Sequence, residues 1–74
     1  MAVIRTLTIK ELDRLSRHTE VEATVSAVDD NGEKFIQIDT YGSAARAMPG
    51  KVSQSIRLTQ SALLQISKLA EKHF

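Results

Sequence analysis

The chain contains no cysteine, one proline, three glycines and few aromatic residues, which make up 4% of its 74 residues. The lack of cysteine excludes disulfide bonds and thiolate metal ligands. The two histidines stand in no cluster of ligand residues, so we expect neither a metal site nor a cofactor. A domain this small without such a staple lies near the lower size limit for independent folding, and we therefore expect a homodimer.

Long apolar runs are also missing, because no stretch approaches the roughly 20 residues that cross a bilayer. The opening segment Met1–Arg5 is too short, and too polar downstream, for a secretory signal. We therefore expect a cytoplasmic protein that makes no membrane contact.

The sequence lacks the common signatures of enzymes. Its glycines are scattered, so no phosphate-binding loop is present, and no serine is paired with a base in a recognisable motif. Asp29 and Asp30 could act as paired carboxylates, but they precede Asn31-Gly32, where aspartates are ordinary turn residues. We expect no catalytic activity and assign no catalytic residue.

Charge is divided unevenly along the chain, although the net charge is only +1. Each half has five cations, against eight carboxylates in residues 1–39 and one in residues 40–74, which gives −3 and +4. Such an asymmetry is typical of a basic face that binds an anion, but a chance fluctuation in a short chain would look the same.

The N-terminal residues carry a helix signal. Thr8 and Glu11 are spaced as a capping box, and Ile9, Leu12 and Leu15 follow at intervals of three. This pattern predicts a short helix over about residues 9–17, within an N-terminal helical extension of residues 1–19.

From residue 20 the apolar period changes to two, which is typical of a half-buried strand. Asn31-Gly32 is the strongest short signal for a two-residue hairpin turn, because both positions need positive φ. A turn there pairs residues whose numbers sum to 63, so that Ala27 lies opposite Ile36 and Val25 opposite Ile38. The alternation and the turn agree on this register.

The second half continues the sheet and ends in a helix. A short irregular strand could lie in residues 43–48, between Gly42 and Pro49-Gly50, and residues 52–58 alternate again. Thr59 or Ser61 caps an amphipathic helix over residues 59–73. The prediction is a single α+β domain, residues 1–74, whose antiparallel sheet of three to four strands spans residues 20–58.

The outward face of this sheet is the candidate binding surface. Cations that meet phosphates, and aromatic rings that stack on bases, are typical of a surface for single-stranded nucleic acid. The alternative is a face that binds nothing and is simply solvated, as one face of an antiparallel sheet usually is. The predicted nucleic-acid-binding residues are Tyr41, Arg46, Lys51 and Arg57.

Three short motifs resemble one known family. They are Ile36-Gln37-Ile38-Asp39-Thr40-Tyr41, Pro49-Gly50-Lys51 and Ser55-Ile56-Arg57-Leu58-Thr59, followed by a C-terminal helix. Over residues 20–72 this order is similar to the single-stranded-DNA-binding transcriptional coactivators of the positive cofactor four type. The resemblance implies a curved four-stranded antiparallel sheet with one helix, a dimer, and binding of single-stranded DNA or RNA. Tyr41, Lys51 and Arg57 stand at matching positions, and Arg46 lies in the corresponding loop.

Two functions of different classes therefore remain open. The first is a small non-catalytic module, coactivator-like, that binds single-stranded nucleic acid through a basic sheet face. The alternative is a protein-interaction or regulatory subunit that docks on a protein partner through an edge strand or the C-terminal helix.

Overall fold

The computed structural model describes residues 1–42 and 51–74, and these form one four-stranded sheet and one helix. The elements are β1 (Ala2–Ile4), β2 (Ala23–Asp30), β3 (Glu33–Tyr41), β4 (Val52–Leu58) and α1 (Gln60–His73). The predicted α+β class is confirmed. The irregular strand predicted within residues 43–48 lies outside the described residues.

The β2–β3 hairpin has the register that the sequence predicts. Asp30 pairs with Glu33, Ala27 with Ile36 and Val25 with Ile38. The turn uses two left-handed residues, with φ of 53° at Asn31 and 81° at Gly32. Positive φ at both central positions is the conformation of a type I′ turn, whose twist matches that of the paired strands.

The sheet order is β1-β4-β3-β2, and the sheet is mixed. β4 pairs antiparallel with β3, but β1 pairs parallel with β4, so that Ala2 lies beside Ile56 and Ile4 beside Leu58. The prediction of a purely antiparallel sheet is therefore wrong. The reason is that β1 has just three residues and pairs with β4, which lies more than fifty residues away along the chain. No local sequence pattern marks such a pairing.

Helix α1 begins where the sequence indicates. Thr59 is the N-cap, and its hydroxyl accepts a hydrogen bond of 3.2 Å from the amide of Ala62. The same hydroxyl donates to the carbonyl of Arg5 at 3.1 Å, which ties the chain after β1 to the start of the helix. Lys72 and His73 occupy the last turn, where cations favour the helix dipole.

The predicted N-terminal helix is wrong, because the described residues 5–22 contain no helix. Instead, the side-chain amide of Gln65 on α1 holds the backbone of Leu7: it accepts from the amide at 2.9 Å and donates to the carbonyl at 3.0 Å. Ile9, Leu12 and Leu15 are exposed. A two-turn helix is not stable without tertiary packing, and within the described chain these side chains have no core to join.

The hydrophobic core of the described residues is small. Its buried apolar side chains are Leu58 and Ala62, which are 3% and 0% exposed, and Phe35 on the other face of the sheet, which is 7% exposed. Helix α1 packs chiefly on β3 and β4, at the end of the sheet where β4 ends. No helix in the described part of the chain is long and apolar enough to cross a membrane.

Candidate functional site

The two faces of the sheet differ in chemistry, and both are candidate surfaces. Residues alternate between the faces of a strand, so the observed registers assign each side chain to one face. We call one face the polar face; it carries Val3, Thr24, Ser26, Val28, Asp30, Glu33, Phe35, Gln37, Asp39, Tyr41, Ser55 and Arg57. The other is the apolar face; it carries Ile4, Ala23, Val25, Ala27, Ile36, Ile38, Ile56 and Leu58, with the polar residues Asp29, Lys34, Thr40 and Gln54 towards its two ends.

The structure brings two of the four predicted nucleic-acid-binding residues together on the polar face. Tyr41 ends β3 and Arg57 lies near the end of β4, and both are half-buried. Lys51 is exposed at the residue before β4. Arg46 lies outside the described residues.

Arg57 is the centre of a chain of side-chain contacts that crosses three strands. Its Nε donates to Oε1 of Gln37 on β3 at 2.8 Å, and its NH1 donates to Oδ2 of Asp30 on β2 at 3.1 Å. Gln37 in turn donates from Nε2 to the carboxylate of Asp39 at 3.1 Å. An anion that approached Arg57 would therefore compete with the carboxylate of Asp30, which already forms an ion pair with the guanidinium.

The Arg57 guanidinium also covers an aromatic ring. Its Cζ lies 5.8 Å from the centroid of Phe35, within the range of a cation–π contact. Phe35 is thus buried although it belongs to the polar face, where an exposed aromatic residue could stack on a base. The arrangement removes Phe35 from any stacking surface in this conformation.

Tyr41 is partly accessible and its hydroxyl is engaged. The hydroxyl oxygen lies 3.1 Å from Oγ1 of Thr24 across the β2–β3 pair. The backbone amide of Tyr41 donates to the carbonyl of Glu22 at 3.0 Å, which extends the pairing beyond the first residue of β2. These contacts fix the ring at one end of the polar face, where only part of it is open to a stacked base.

A second ion pair lies at the hairpin end of the same face. The Arg5 guanidinium donates two hydrogen bonds to the carboxylate of Glu33, one of them at 3.1 Å. These hydrogen bonds, and to a lesser degree the positive charge, hold the pKa of Glu33 below its ordinary value. The same pairing raises the pKa of Arg5.

The charge of the polar face differs from the basic surface that the sequence predicts. Arg5 and Arg57 are countered there by Asp30, Glu33 and Asp39. Sequence reasoning did not include Asp30 in the site, yet the hairpin register already assigned it to the face of Gln37. The alternation of residues along β2 could therefore have placed Asp30 on the polar face. The position of Arg5 on that face depends on β1, which no local pattern marked.

The apolar face is only partly covered by α1. Leu63 on the helix lies with Ala27, Ile36 and Leu58 around a cleft of about 540 Å³. Farther along β2, Val25 is 70% exposed although its side chain belongs to the apolar face. The helix thus covers the β3–β4 part of this face and leaves the β2 half open.

The C-terminal half of α1 also leaves apolar side chains exposed. Ala62, Ile66 and Leu69 follow at helical spacing and share one side of the helix, yet only Ala62 is buried and Leu69 is 47% exposed. A groove of about 570 Å³ runs between this half of the helix and the extended N-terminal segment. Its lining combines five aliphatic residues, two neutral polar residues and three cations: Leu7, Ile9, Leu12, Ile66 and Leu69, then Thr8 and Gln65, then Lys10, Lys68 and Lys72.

Two observations within residues 1–42 and 51–74 concern the histidines and the possible metal ligands. Nδ1 of His18 lies 3.0 Å from the backbone carbonyl of Ser16, which can only accept, so that nitrogen donates and cannot act as a base in this contact. No three histidine, aspartate or glutamate side chains of these residues converge on a point where a metal ion could bind.

In comparisons with known proteins, no family model, no curated protein and no solved structure matches this chain. The resemblance to the single-stranded-DNA-binding coactivators therefore stays a prediction from three short motifs. The two faces of the sheet, with their different chemistry, are the features that bear on function.

Proposed function

We propose that this chain is a non-catalytic protein-interaction module whose working surface is the apolar face together with the apolar side of α1. The observation that carries the proposal is the exposure of large aliphatic side chains where a folded domain normally buries them. They lie on the sheet at Val25 and along the helix at Leu63, Ile66 and Leu69. Soluble monomers rarely expose a continuous apolar surface of this kind unless it is a contact surface.

The two faces support this assignment by contrast. The charged side chains at the centre of the polar face have partners within the chain: Arg57 contacts Asp30 and Gln37, and Asp39 accepts from Gln37. The apolar face has a helix at one end and none over Val25. Apolar surface gains about 25 cal/mol per Å² when it leaves water, so the open part of this face is where association stabilises most.

Photo-crosslinking in cells tests the proposal, because it captures whatever protein touches a chosen side chain. Benzoylphenylalanine is introduced at Val25, on the apolar face, and in a matched control at Ser26, the next residue of the same strand on the polar face. We expect a crosslinked protein from position 25 and none from position 26. Equal labelling from both positions, or no adduct from position 25, would refute the proposal.

A second candidate function is the binding of single-stranded nucleic acid through the polar face. The observation that favours it is that Tyr41 and Arg57, two of the predicted contact residues, share that face, with Lys51 exposed beside the start of β4. Because Asp30 holds Arg57, any such binding is expected to be weak and dependent on salt.

Fluorescence anisotropy with a labelled oligonucleotide tests this second candidate. Asp30→Asn removes the competing carboxylate and should strengthen binding, while Arg57→Gln should weaken it and lower the salt slope by about 0.7. Lys68→Gln, on the helix, is the matched loss of one cation elsewhere and should have little effect. Unchanged binding in Asp30→Asn and Arg57→Gln, or no binding at low salt, would rule this candidate out.

A further inference from the structure

The accessible surface of the chain is much larger than its size predicts. It measures 6886 Å² for a chain of 8.2 kDa. A folded monomer of this mass exposes about 4,500 Å², which leaves a surplus of about 2,350 Å². Part of this surplus belongs to residues 8–22, which form no helix or strand and are exposed throughout.

The dimensions of the molecule agree with this surplus. Its radius of gyration is 14.5 Å, against about 11.3 Å for a compact domain of 74 residues. Its extents are 39 × 37 × 19 Å, so it is a broad, thin layer rather than a sphere. A four-stranded sheet spans only about 15 Å across its strands, so residues 5–22, which form no helix or strand, contribute to this breadth together with the open sheet.

We propose that a second copy of this chain covers the open part of the sheet, and this inference rests on the function proposed above. In a two-fold dimer, the C-terminal half of α1 from each copy would pack on the open β2 half of the apolar face of the other. The surplus of two copies sets an upper bound of about 4,700 Å² on this interface, and half of that area would still lie in the range of obligate homodimers. The contact is self-complementary, as a two-fold axis requires, because each copy has one vacant helix half and one vacant sheet half.

The distribution of charge also favours a second copy over an unrelated partner. Lys68 and Lys72 flank the vacant half of the helix, with Lys10 on the far side of the groove. The apolar face of the strand that would receive this helix ends in Asp29, which lies opposite Lys34 of β3. A helix of one copy laid along β2 of the other would therefore bring cations to carboxylates twice, once for each symmetric contact.

The chain has no cysteine, so introduced cysteines can report the contact directly. Val25→Cys is mixed with Leu63→Cys, Ile66→Cys or Leu69→Cys in separate samples of the full chain under mild oxidation. A disulfide forms only where the two Cα atoms come within about 7 Å. We expect a disulfide-linked product of twice 8.2 kDa with at least one helix position, and none when Ser26→Cys replaces Val25→Cys.

Other outcomes would overturn the inference, and they differ from those that refute the proposed function. Products from Val25→Cys alone and Ser26→Cys alone, without any helix partner, would indicate pairing of two β2 edges instead. A chain that stays at 8.2 kDa in solution, while photo-crosslinking at Val25 captures a different protein, would refute the dimer and keep the interaction module. A monomer without any adduct at Val25 would refute both.

Discussion

Replacing Val25 with threonine separates the role of this side chain in the single chain from its role in the dimer. Threonine has the shape and β-branching of valine, and Val25 is 70% exposed in the chain alone. The free energy of folding of one copy should therefore change by less than about 0.5 kcal/mol. Any larger effect has to come from a contact that the single chain does not make.

The expected effect on the dimer follows from the burial of this position. Loss of one buried methyl group costs about 0.8 kcal/mol, and burial of a hydroxyl without a partner adds at least about 1 kcal/mol. That amounts to about 2 kcal/mol at each site and about 4 kcal/mol for the two symmetric sites. The dissociation constant of the dimer should rise roughly a thousandfold.

Sedimentation velocity over a dilution series measures this change, with circular dichroism to show that the strands are retained. Val3→Thr is the matched control, because Val3 is also exposed on an edge strand but belongs to the polar face beside Arg57. The control should leave the dissociation constant within about threefold of the wild type. If Val25→Thr and Val3→Thr associate equally well, the apolar face is not the contact surface.

Three further predictions concern the stability of the fold. Thr59→Ala removes the N-cap of α1 and its bond to Arg5, and should lower the free energy of unfolding in urea by about 1 kcal/mol, whereas Thr59→Ser should restore most of it. Leu58→Ala empties the most buried large side chain and should cost about 2–5 kcal/mol in the same assay, whereas a loss below about 1 kcal/mol would contradict the described core. Because the pKa of Glu33 is lowered, its pair with Arg5 stabilises the fold above pH 4.5, and this contribution is lost as the pH falls further. Glu33→Gln should remove that part of the pH dependence of the melting temperature. An unchanged pH profile of the melting temperature would contradict this assignment.

The hairpin could be predicted from the sequence because two independent signals agreed. The Asn31-Gly32 turn set the register and the alternation of residues 21–28 set the faces, and either one alone would have left the pairing open. The cap at Thr59 was equally local, since a threonine directly before an apolar helical pattern is sufficient to mark it.

The errors arose where tertiary contacts decide the outcome. The capping box at Thr8 predicted a helix from local residues, but the backbone of Leu7 is held by Gln65, and a two-turn helix is not stable from local signals alone. β1 was missed because three residues carry no periodicity.

The candidate site was predicted only in part for the same reason. Tyr41 and Arg57 could be assigned to one face from alternation alone. The ion pair of Arg57 with Asp30 depends on the register between β3 and β4, which are separated by residues without a clear pattern. That pair changes the polar face from an open basic surface to one whose central cation is already engaged.

The mass of the chain in solution shows whether a second copy covers the apolar face. Sedimentation equilibrium of the purified full chain over a wide range of concentrations should give twice 8.2 kDa at high concentration, with dissociation on dilution accompanied by loss of stability. A chain of 8.2 kDa at every concentration, with a melting temperature independent of concentration, would show that the broad sheet and its exposed helix are stable alone and would contradict the account.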